Sequence, residues 1–296
     1  MIAREHLRLL PVAALLAGAA LGASAQDFSG IVVEKFASGF TYADGPVWTR
    51  DGDLVISDVP ANHLFRIKPG VKPEIVREDS GGAMGNAVDS QGRLYTCESR
   101  NRRLVRMNRK GELEVLADKW EGKRLNAPND VAVRKDGNVY FTDPAFGSQE
   151  DTRELGFYGV YRWDSGTLSV ISRATGRPNG IAVSPDGRKL YVTNADERNV
   201  RVYDLNRKGE ASNERVLIQG IAGVPNGIRT DEQGNLYLGA QTLQVYNPAG
   251  QKVWEIPLEG APSNLAFGED LLSLFVTDHR TVYRLRMPVK GWVNYQ

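Results

Sequence analysis

Six positions along this sequence open a recurring phrase, and five of them carry a side-chain oxygen. In each phrase the opening residue leads into an apolar strand, in most copies through a glycine. The six opening residues are Asp44, Met84, Asn129, Asn179, Asn226 and Asn264. Carboxylate and amide oxygens, without thiols or imidazoles, suit a hard cation such as calcium or magnesium. If the phrases surround one axis, these residues predict a cation site.

The same residues also have a simpler interpretation as turn formers. Asn and Asp before Gly are common in tight turns, and turn chemistry explains any single copy. Asn264 is the weakest member because Leu265 follows it instead of a glycine. The recurrence of oxygen-bearing residues at equivalent positions favours a shared site over unrelated turns.

A second series of mostly polar residues ends the following strand of each phrase. Its members are Asp58, Glu98, Asp143, Asn194, Ala240 and Asp278. Turn chemistry again offers an explanation, especially for Asp143, which precedes Pro144. Carboxylates clustered near a channel mouth would alternatively provide a general base or a partner for cation ligands.

The strands that must position these residues repeat about every 40 to 50 residues, a period typical of β-propellers. Each copy contains further strands with alternating or β-branched residues, but the sixth copy has only three. Residues 31–36 precede the first phrase and are expected to supply the missing strand, which protects the sheet edges. The predicted fold is all-β, a six-bladed β-propeller closed by the N-terminal strand, with residues 26–296 as one domain. The polar loop at 147–155 is a candidate rim.

Composition excludes several classes of function. The chain has 296 residues and a formal net charge of +1, which argues against a nucleic-acid partner. Its single cysteine, Cys97, cannot form an internal disulfide, and its alternating strand predicts a small buried hydrophobe. The sequence contains no nucleophile elbow, His-Glu-x-x-His motif, phosphate-binding loop or dinucleotide fingerprint. Metal-assisted chemistry is therefore the leading enzymatic hypothesis.

The first 25 residues have the pattern of a secretory signal peptide. Arg4 and Arg8 precede an apolar run over residues 9–21, and a small-residue cleavage box follows at residues 23–25. The alternative is an N-terminal membrane anchor, but the run is shorter than the ~20 residues that span a bilayer. We expect residues 1–25 to be removed, a secreted or periplasmic protein, and no membrane span after cleavage.

Several longer stretches, at residues 44–48, 97–106, 121–130, 140–147 and 178–180, carry a family resemblance. Together they resemble the gluconolactonase, regucalcin (senescence marker protein) and luciferin-regenerating enzyme family, in particular its bacterial gluconolactonase branch. The resemblance implies a six-bladed propeller with one divalent cation in the central channel, usually calcium or zinc.

Position by position, the resemblance implies Asp44, Asn129, Asn179 and Asn226 as metal ligands. Asn129 and Asn179 match the family pattern, whereas Asp44 stands where Glu is usual and Asn226 where Asp is usual. Met84 stands where this branch often has Asn. The ligand set then has one formal negative charge where the family has two, which predicts weaker cation binding.

Asn226 occupies the catalytic position at which the family's Asp is the proposed proton acceptor, and an amide cannot take that proton. A base must come from elsewhere, with Glu98 as the first candidate and Asp143 and Asp278 behind it. Arg124 and Asn126, just before the third phrase, are expected to bind substrate, with Asp143 beside them.

The sequence thus predicts a metal-dependent hydrolase of a sugar lactone, a small-molecule substrate, with a metal-activated water in the channel. Calcium is the first candidate cation, with zinc or manganese as alternatives. Another reaction on a sugar acid, glycoside, phosphotriester or aryl ester remains open. So does a non-catalytic propeller that binds a ligand, which the residues Asp44, Met84 and Asn226 would favour.

Overall fold

The computed structural model describes residues 27–295, and the predicted signal peptide at residues 1–25 lies outside them. The described part is almost entirely β-structure, with one 3-10 helix over Gly147–Thr152. No helix within residues 27–295 is long and apolar enough to cross a membrane.

Within residues 27–295, twenty-four strands form six four-stranded antiparallel sheets, and two more form a hairpin. Strand β1 (Val33–Ser38) comes first in the chain and pairs in the last sheet. The first sheet contains β2 (Ala43–Trp48), β3 (Leu54–Asp58), β4 (His63–Ile67) and β5 (Glu74–Arg77). The second contains β6 (Ala83–Val88), β7 (Leu94–Glu98), β8 (Arg103–Met107) and β9 (Leu113–Ala117). The hairpin contains β10 (Lys119–Trp120) and β11 (Lys123–Arg124).

The remaining sheets follow in chain order. The third contains β12 (Val131–Val133), β13 (Val139–Asp143), β14 (Tyr158–Asp164) and β15 (Thr167–Ala174). The fourth contains β16 (Pro178–Val183), β17 (Lys189–Asn194), β18 (Asn199–Leu205) and β19 (Ala211–Gln219). The fifth contains β20 (Ile228–Thr230), β21 (Leu236–Gly239), β22 (Leu243–Tyr246) and β23 (Lys252–Ile256). The sixth contains β24 (Asn264–Gly268), β25 (Ser273–Asp278), β26 (Thr281–Arg286) and β1.

The first strands of the six sheets surround one axis. Strand β2 contacts β6 and β24, β12 contacts β6 and β16, and β20 contacts β16 and β24, which closes the ring. These inner strands are largely buried, whereas the outer strands β5 and β9 are mostly exposed. The structure therefore confirms the predicted six-bladed propeller.

The N-terminal strand completes the sixth blade, as predicted. β1 pairs antiparallel with β26, with Val33 opposite Leu285 and Ser38 opposite Thr281. It covers the outer edge that the three C-terminal strands would otherwise expose. The strand begins two residues later than the predicted segment did, at Val33.

Hydrophobic packing lies mainly between blades. Tyr95 of the second blade belongs to the same buried cluster as Phe141 and Tyr161 of the third, whose rings stack 5.2 Å apart. Cys97 is a fully buried free thiol in this cluster, in agreement with its predicted hydrophobic role. Each blade therefore depends on its neighbours for a core.

The glycines that follow the opening residues allow adjacent inner strands to approach closely. A Cβ on Gly45 would lie 2.0 Å from the carbonyl oxygen of Met84, and one on Gly180 would lie 2.3 Å from that of Asn226. Any side chain there would force the opening residue of the next blade away. These glycines serve the packing around the axis in addition to turn geometry.

Candidate functional site

A cavity of about 670 Å³ lies at the channel mouth where the inner strands begin. Five of the predicted ring residues line it: Asp44, Met84, Asn129, Asn179 and Asn226. Asn264 is buried and is not among the described residues that line the cavity. Its Oδ1 accepts the backbone N–H of Leu265 at 2.9 Å. The structure thus brings five of the six opening residues together.

Asn179 carries an acceptor without a partner. Its Nδ2 donates to the carbonyl oxygen of Pro225 at 3.1 Å, which fixes the orientation of the amide. Its Oδ1 is buried and has no hydrogen-bond partner. Leaving a buried acceptor unsatisfied costs about 1–3 kcal/mol. A cation in the cavity would satisfy this oxygen.

Asp44 is a buried carboxylate beside the same cavity. Burial raises its pKa to about 6, and the negative charge of Asp130 acts in the same direction. The backbone N–H of Gly45 donates to its Oδ1 at 2.6 Å and opposes this shift. A buried carboxylate gains stability from a nearby positive charge, so Asp44 is a suitable cation ligand.

The donor set fits a hard dication. Among residues 27–295 no group of three or more His, Cys, Asp or Glu side chains is placed to hold a metal. A cation here would therefore depend on the amide oxygens of Asn129, Asn179 and Asn226 beside the single carboxylate. Oxygen donors of this kind suit calcium better than zinc, which is usually bound through nitrogen and sulfur.

Hydroxyl groups from one blade hold the opening residues of the next. Ser57 Oγ donates to the carbonyl oxygen of Met84 at 2.7 Å. Thr142 Oγ1 donates to that of Asn179 at 2.6 Å, and Thr193 Oγ1 to that of Asn226 at 2.8 Å. We call these three contacts the hydroxyl links. They fix the backbone of three opening residues, two of which are candidate ligands, from outside their own blade.

The hydroxyl links were not predicted from the sequence, although a signal for them exists. A Ser or Thr directly precedes the second-series residue in four of the six copies: Ser57-Asp58, Thr142-Asp143, Thr193-Asn194 and Thr277-Asp278. Three of these hydroxyls form links, whereas that of Thr277 donates to the carbonyl oxygen of Asn264 in its own blade at 3.1 Å. The repeated hydroxyl is the feature that would have identified them.

The second series has a structural role in this fold. Asp58 accepts hydrogen bonds from the backbone N–H groups of residues 41 and 42, at 2.8 and 3.0 Å. Asp143 accepts from those of residues 126 and 127, both at 2.8 Å, and Asp278 accepts from that of Gly260 at 2.7 Å. Burial raises the pKa of Asp143 to about 7. These carboxylates hold the loops that lead into the inner strands, and they are not among the described cavity-lining residues.

Glu98, the predicted base, does not lie with the ring residues. Its carboxylate is fully buried and pairs with Arg77 at 2.5 Å and with Arg103 at 2.6 Å. Asn101 Nδ2 donates to the same carboxylate at 2.9 Å. Glu98 is outside the set of described residues that line the cavity, because these partners from the first and second blades hold its carboxylate.

Arg124 and Asn126, the predicted substrate-binding residues, also lie outside that set. Arg124 is exposed on β11 and pairs with Glu154. Asn126 is fully buried, and its Nδ2 donates to the carbonyl oxygens of Asp143 and Phe157, at 3.0 and 2.9 Å. Both side chains are used to shape the loop before the third blade.

The loop at 147–155 contributes to the rim, as expected. Phe146 and Gln149 line the cavity. Gln149 Nε2 donates to the carbonyl oxygen of Ser99 at 2.9 Å, and the guanidinium of Arg102 donates to the Thr152 hydroxyl at 2.5 Å. These bonds fasten the rim to the second blade.

Tyr42 and His279 form a stacked pair at the cavity, with ring centroids 4.6 Å apart. Burial, together with the charge of Asp44, raises the pKa of Tyr42, whereas a hydrogen bond with Asn226 lowers it. The phenol therefore stays protonated in the neutral range.

The opposite mouth of the channel is covered by the C-terminal segment. A cavity of about 90 Å³ there is lined by inner-strand ends and by residues 292–295. The Tyr295 hydroxyl donates to the carbonyl oxygen of Trp48 at 2.7 Å. Arg229 also lines this cavity and pairs with buried Asp130 at 3.1 Å. The large mouth is therefore the accessible one.

Comparisons with known proteins agree with the fold. The family model described as the SMP-30/Gluconolactonase/LRE-like region matches residues 42–280. A gluconolactonase from Zymomonas mobilis is 34% identical, with 88% of this chain and 82% of the relative covered. A diisopropyl-fluorophosphatase from Loligo vulgaris is 30% identical, with 80% and 85% covered.

A solved structure agrees with the family match. A gluconolactonase from Xanthomonas campestris has a TM-score of 0.83 at 29% identity, with 89% of this chain and 92% of that chain covered. The resemblance inferred from the sequence is confirmed, and the names of these relatives agree with the prediction of a lactonase-type hydrolase. By sequence and by fold, this chain belongs to the SMP-30/Gluconolactonase/LRE-like family.

Proposed function

We propose that this protein is a divalent-cation-dependent hydrolase of lactones. Its family and the gluconolactonase relatives support the hydrolase class. The observation that carries the cation dependence is the buried, unpartnered Oδ1 of Asn179. Asn179 lines one cavity together with Asp44, Asn129 and Asn226.

In this proposal those four side chains hold the cation, and calcium is the first candidate because the donors are oxygens. A bound dication would polarise the lactone carbonyl and lower the pKa of a nearby water. One carboxylate among four donor side chains neutralises only part of the charge of a dication. We therefore expect weaker cation binding than in a site with two carboxylates.

The reaction adds water across the acyl bond of the ring. The water oxygen bonds to the carbonyl carbon, the bond between that carbon and the ring oxygen breaks, and the ring oxygen leaves as a hydroxyl after taking a proton. The product is a hydroxy acid, which ionises at neutral pH. Asn226 can orient a ligand but cannot accept the proton. Of the described cavity-lining residues, Asp44 and His279 carry groups that can accept one.

Calorimetric titration of the purified protein with calcium tests the site. Asn179→Ala should abolish stoichiometric binding. Asn199→Ala is the matched control, since Asn199 also has a buried Oδ1 without a partner but lies in β18, outside the described cavity lining. Equal binding by both variants, or no binding by the wild type at millimolar calcium, zinc or manganese, would overturn the cation site.

A relative is named diisopropyl-fluorophosphatase, which makes hydrolysis of an organophosphate the second candidate function. Assays with a lactone panel and with diisopropyl fluorophosphate, with calcium present, separate the two. Calcium binding without turnover of either class would favour a non-catalytic, ligand-binding propeller.

We also propose that the mature protein is secreted or periplasmic, on the strength of residues 1–25 alone. Mass spectrometry of the protein recovered from the periplasm of a bacterial host should show a chain that begins at Gln26. An intact N-terminus in the cytoplasmic fraction would contradict this proposal.

A further inference from the structure

The wall of the large cavity is mostly apolar above the ring of candidate ligands. Val59 and Pro60 follow β3, Phe146 follows β13, and Val224 and Pro262 precede β20 and β24. Val224 is 54% exposed and so presents its side chain to the opening. Because these residues come from four blades, the apolar surface surrounds the opening instead of forming an isolated patch.

Met84 extends this apolar surface down to the ring. It is half-buried and occupies the second-blade position equivalent to Asp44, Asn129, Asn179 and Asn226. Ser57 fixes its backbone in the same way that Thr193 fixes Asn226. The position is therefore built like a ligand position but presents a thioether side chain, which favours apolar contacts.

The polar groups of the wall are few and partly occupied. The Ser99 hydroxyl donates to the carbonyl oxygen of Gly82 at 3.0 Å, and Gln149 Nε2 donates to that of Ser99 at 2.9 Å. Among the described lining residues Asp44 is the single carboxylate, and none is Lys or Arg. Besides these residues and the candidate ligands, the remaining polar residues of the lining are Tyr42, Gln241 and His279. The wall thus offers few hydrogen-bonding groups for the several hydroxyls of a sugar, and its one carboxylate lies in the ring of candidate ligands.

A polyhydroxylated sugar lactone would lose many hydrogen bonds to water in such a cavity. Polar groups that are buried without new partners oppose binding. An alkyl or aryl group, in contrast, gains free energy from burial against the same wall. The volume of about 670 Å³ lies within the range of pockets for drug-sized ligands, which leaves room for such a group beside a lactone ring.

We infer that the preferred substrate is a lactone that carries an uncharged alkyl or aryl group, and that Met84 sets this preference. The inference rests on the proposed lactonase function and narrows its substrate class. The carbonyl faces the ring of candidate ligands, and the apolar group lies against Met84, Val59, Pro60 and Val224.

The test compares kcat/KM for glucono-1,5-lactone with that for δ-decalactone and dihydrocoumarin, corrected for spontaneous hydrolysis. We expect the apolar lactones to be preferred by about tenfold or more, since each well-packed methylene contributes about that much discrimination. Met84→Asn should reduce the ratio of kcat/KM values about tenfold, whereas Met84→Leu, which keeps an apolar side chain, should preserve it.

Binding of unreactive lactam analogues, measured by calorimetry, gives a readout independent of turnover. 6-Pentylpiperidin-2-one should bind more tightly than gluconolactam to the wild type and should lose this advantage in Met84→Asn. Turnover of sugar lactones in preference to apolar ones, with no effect of Met84→Asn, would overturn the inference and leave the lactonase function intact. Failure to hydrolyse any lactone, with calcium bound and the fold intact, would overturn the proposed function and the inference with it.

Discussion

Asn226 places a neutral amide among the four candidate cation ligands. The carboxylate of Asp44 is the single formal charge among the four candidate ligands, and Asp130 nearby is already paired with Arg229. The composition of the ring followed directly from the sequence period. The orientation of individual side chains, such as that of Asn179 with its free Oδ1, depends on contacts with neighbouring blades. It could not be predicted from the sequence period.

We expect Asn226→Asp to increase calcium affinity by about tenfold or more, which corresponds to about 1.4 kcal/mol. The added carboxylate supplies a second negative charge at a ligand position. Calorimetric titration at constant ionic strength measures the effect. Gln241→Glu is the control, because it adds the same charge at an exposed position lining the cavity, outside the ring. An equal gain in both variants would show that charge alone, without ligation, is responsible.

Asp143→Asn should destabilise the fold by about 1–3 kcal/mol, since an amide can accept only one of the two backbone hydrogen bonds. Burial raises the folded-state pKa of Asp143 from 3.8 to about 7. The folded protein then keeps a proton that the unfolded chain releases, so the contribution of Asp143 to stability decreases as pH rises from about 4 to 7.

Urea unfolding of wild type and Asp143→Asn at pH 5 and pH 8 tests this expectation. The stability difference between the two proteins should be smaller at pH 8. Asp151→Asn, at an exposed carboxylate nearby, should show no such change. A difference that grows with pH would mean that the two backbone N–H groups keep Asp143 ionised in the fold.

At the scale of strands, the period predicted most of the architecture because side-chain alternation and turn residues are local properties. The six inner strands, the missing strand of the sixth blade and the rim at 147–155 were all expected. Glu98, the first candidate for the base, lies away from the cavity lining because Arg77 of the first blade pairs with its carboxylate. A contact between residues on adjacent blades leaves no trace in the periodicity of either one. The hairpin of β10 and β11 was missed for a different reason, since it belongs to no repeat.

Thr193 shows how strongly a contact between strands can support the site. Its Oγ1 accepts the backbone N–H of Gly180 at 2.7 Å and donates to the carbonyl oxygen of Asn226 at 2.8 Å. Thr193→Val removes both bonds with little change in shape, so we expect weaker calcium binding by about threefold to tenfold and a stability loss of about 1–3 kcal/mol. Thr193→Ser keeps the hydroxyl and should retain most of both. Unchanged affinity in the valine variant, measured by calorimetry, would show that the link does not position Asn226.

At the scale of the whole molecule, closure depends on both termini. β1 completes the sixth blade, and Ser263 Oγ donates to the carbonyl oxygen of Ala43 at 2.7 Å across the seam between the sixth and first blades. The C-terminal segment covers the mouth opposite the candidate site. The covered end of the channel thus lies opposite the end at which we propose ligand binding.

Truncation after Lys290 should lower the melting temperature, because it exposes the ends of the inner strands, and should leave calcium affinity unchanged. Tyr295→Phe removes only the hydrogen bond to Trp48 and should cost about 1 kcal/mol. Differential scanning calorimetry and calcium titration of the same samples provide the two measurements. A large loss of calcium affinity in a truncated protein that remains folded would show that the two mouths are coupled.

Because of the hydroxyl links, the candidate site in one blade depends on the sequence of the preceding blade when blades are exchanged in evolution or engineering. Each link crosses a blade boundary, so the threonine that holds a candidate ligand belongs to the preceding blade. A chimera joined between blades would combine an opening residue from one parent with a supporting hydroxyl from the other. The segment that should be exchanged intact runs from the second strand of one blade to the inner strand of the next, for example residues 189–230. Recombination within this family should therefore succeed most often at junctions inside blades.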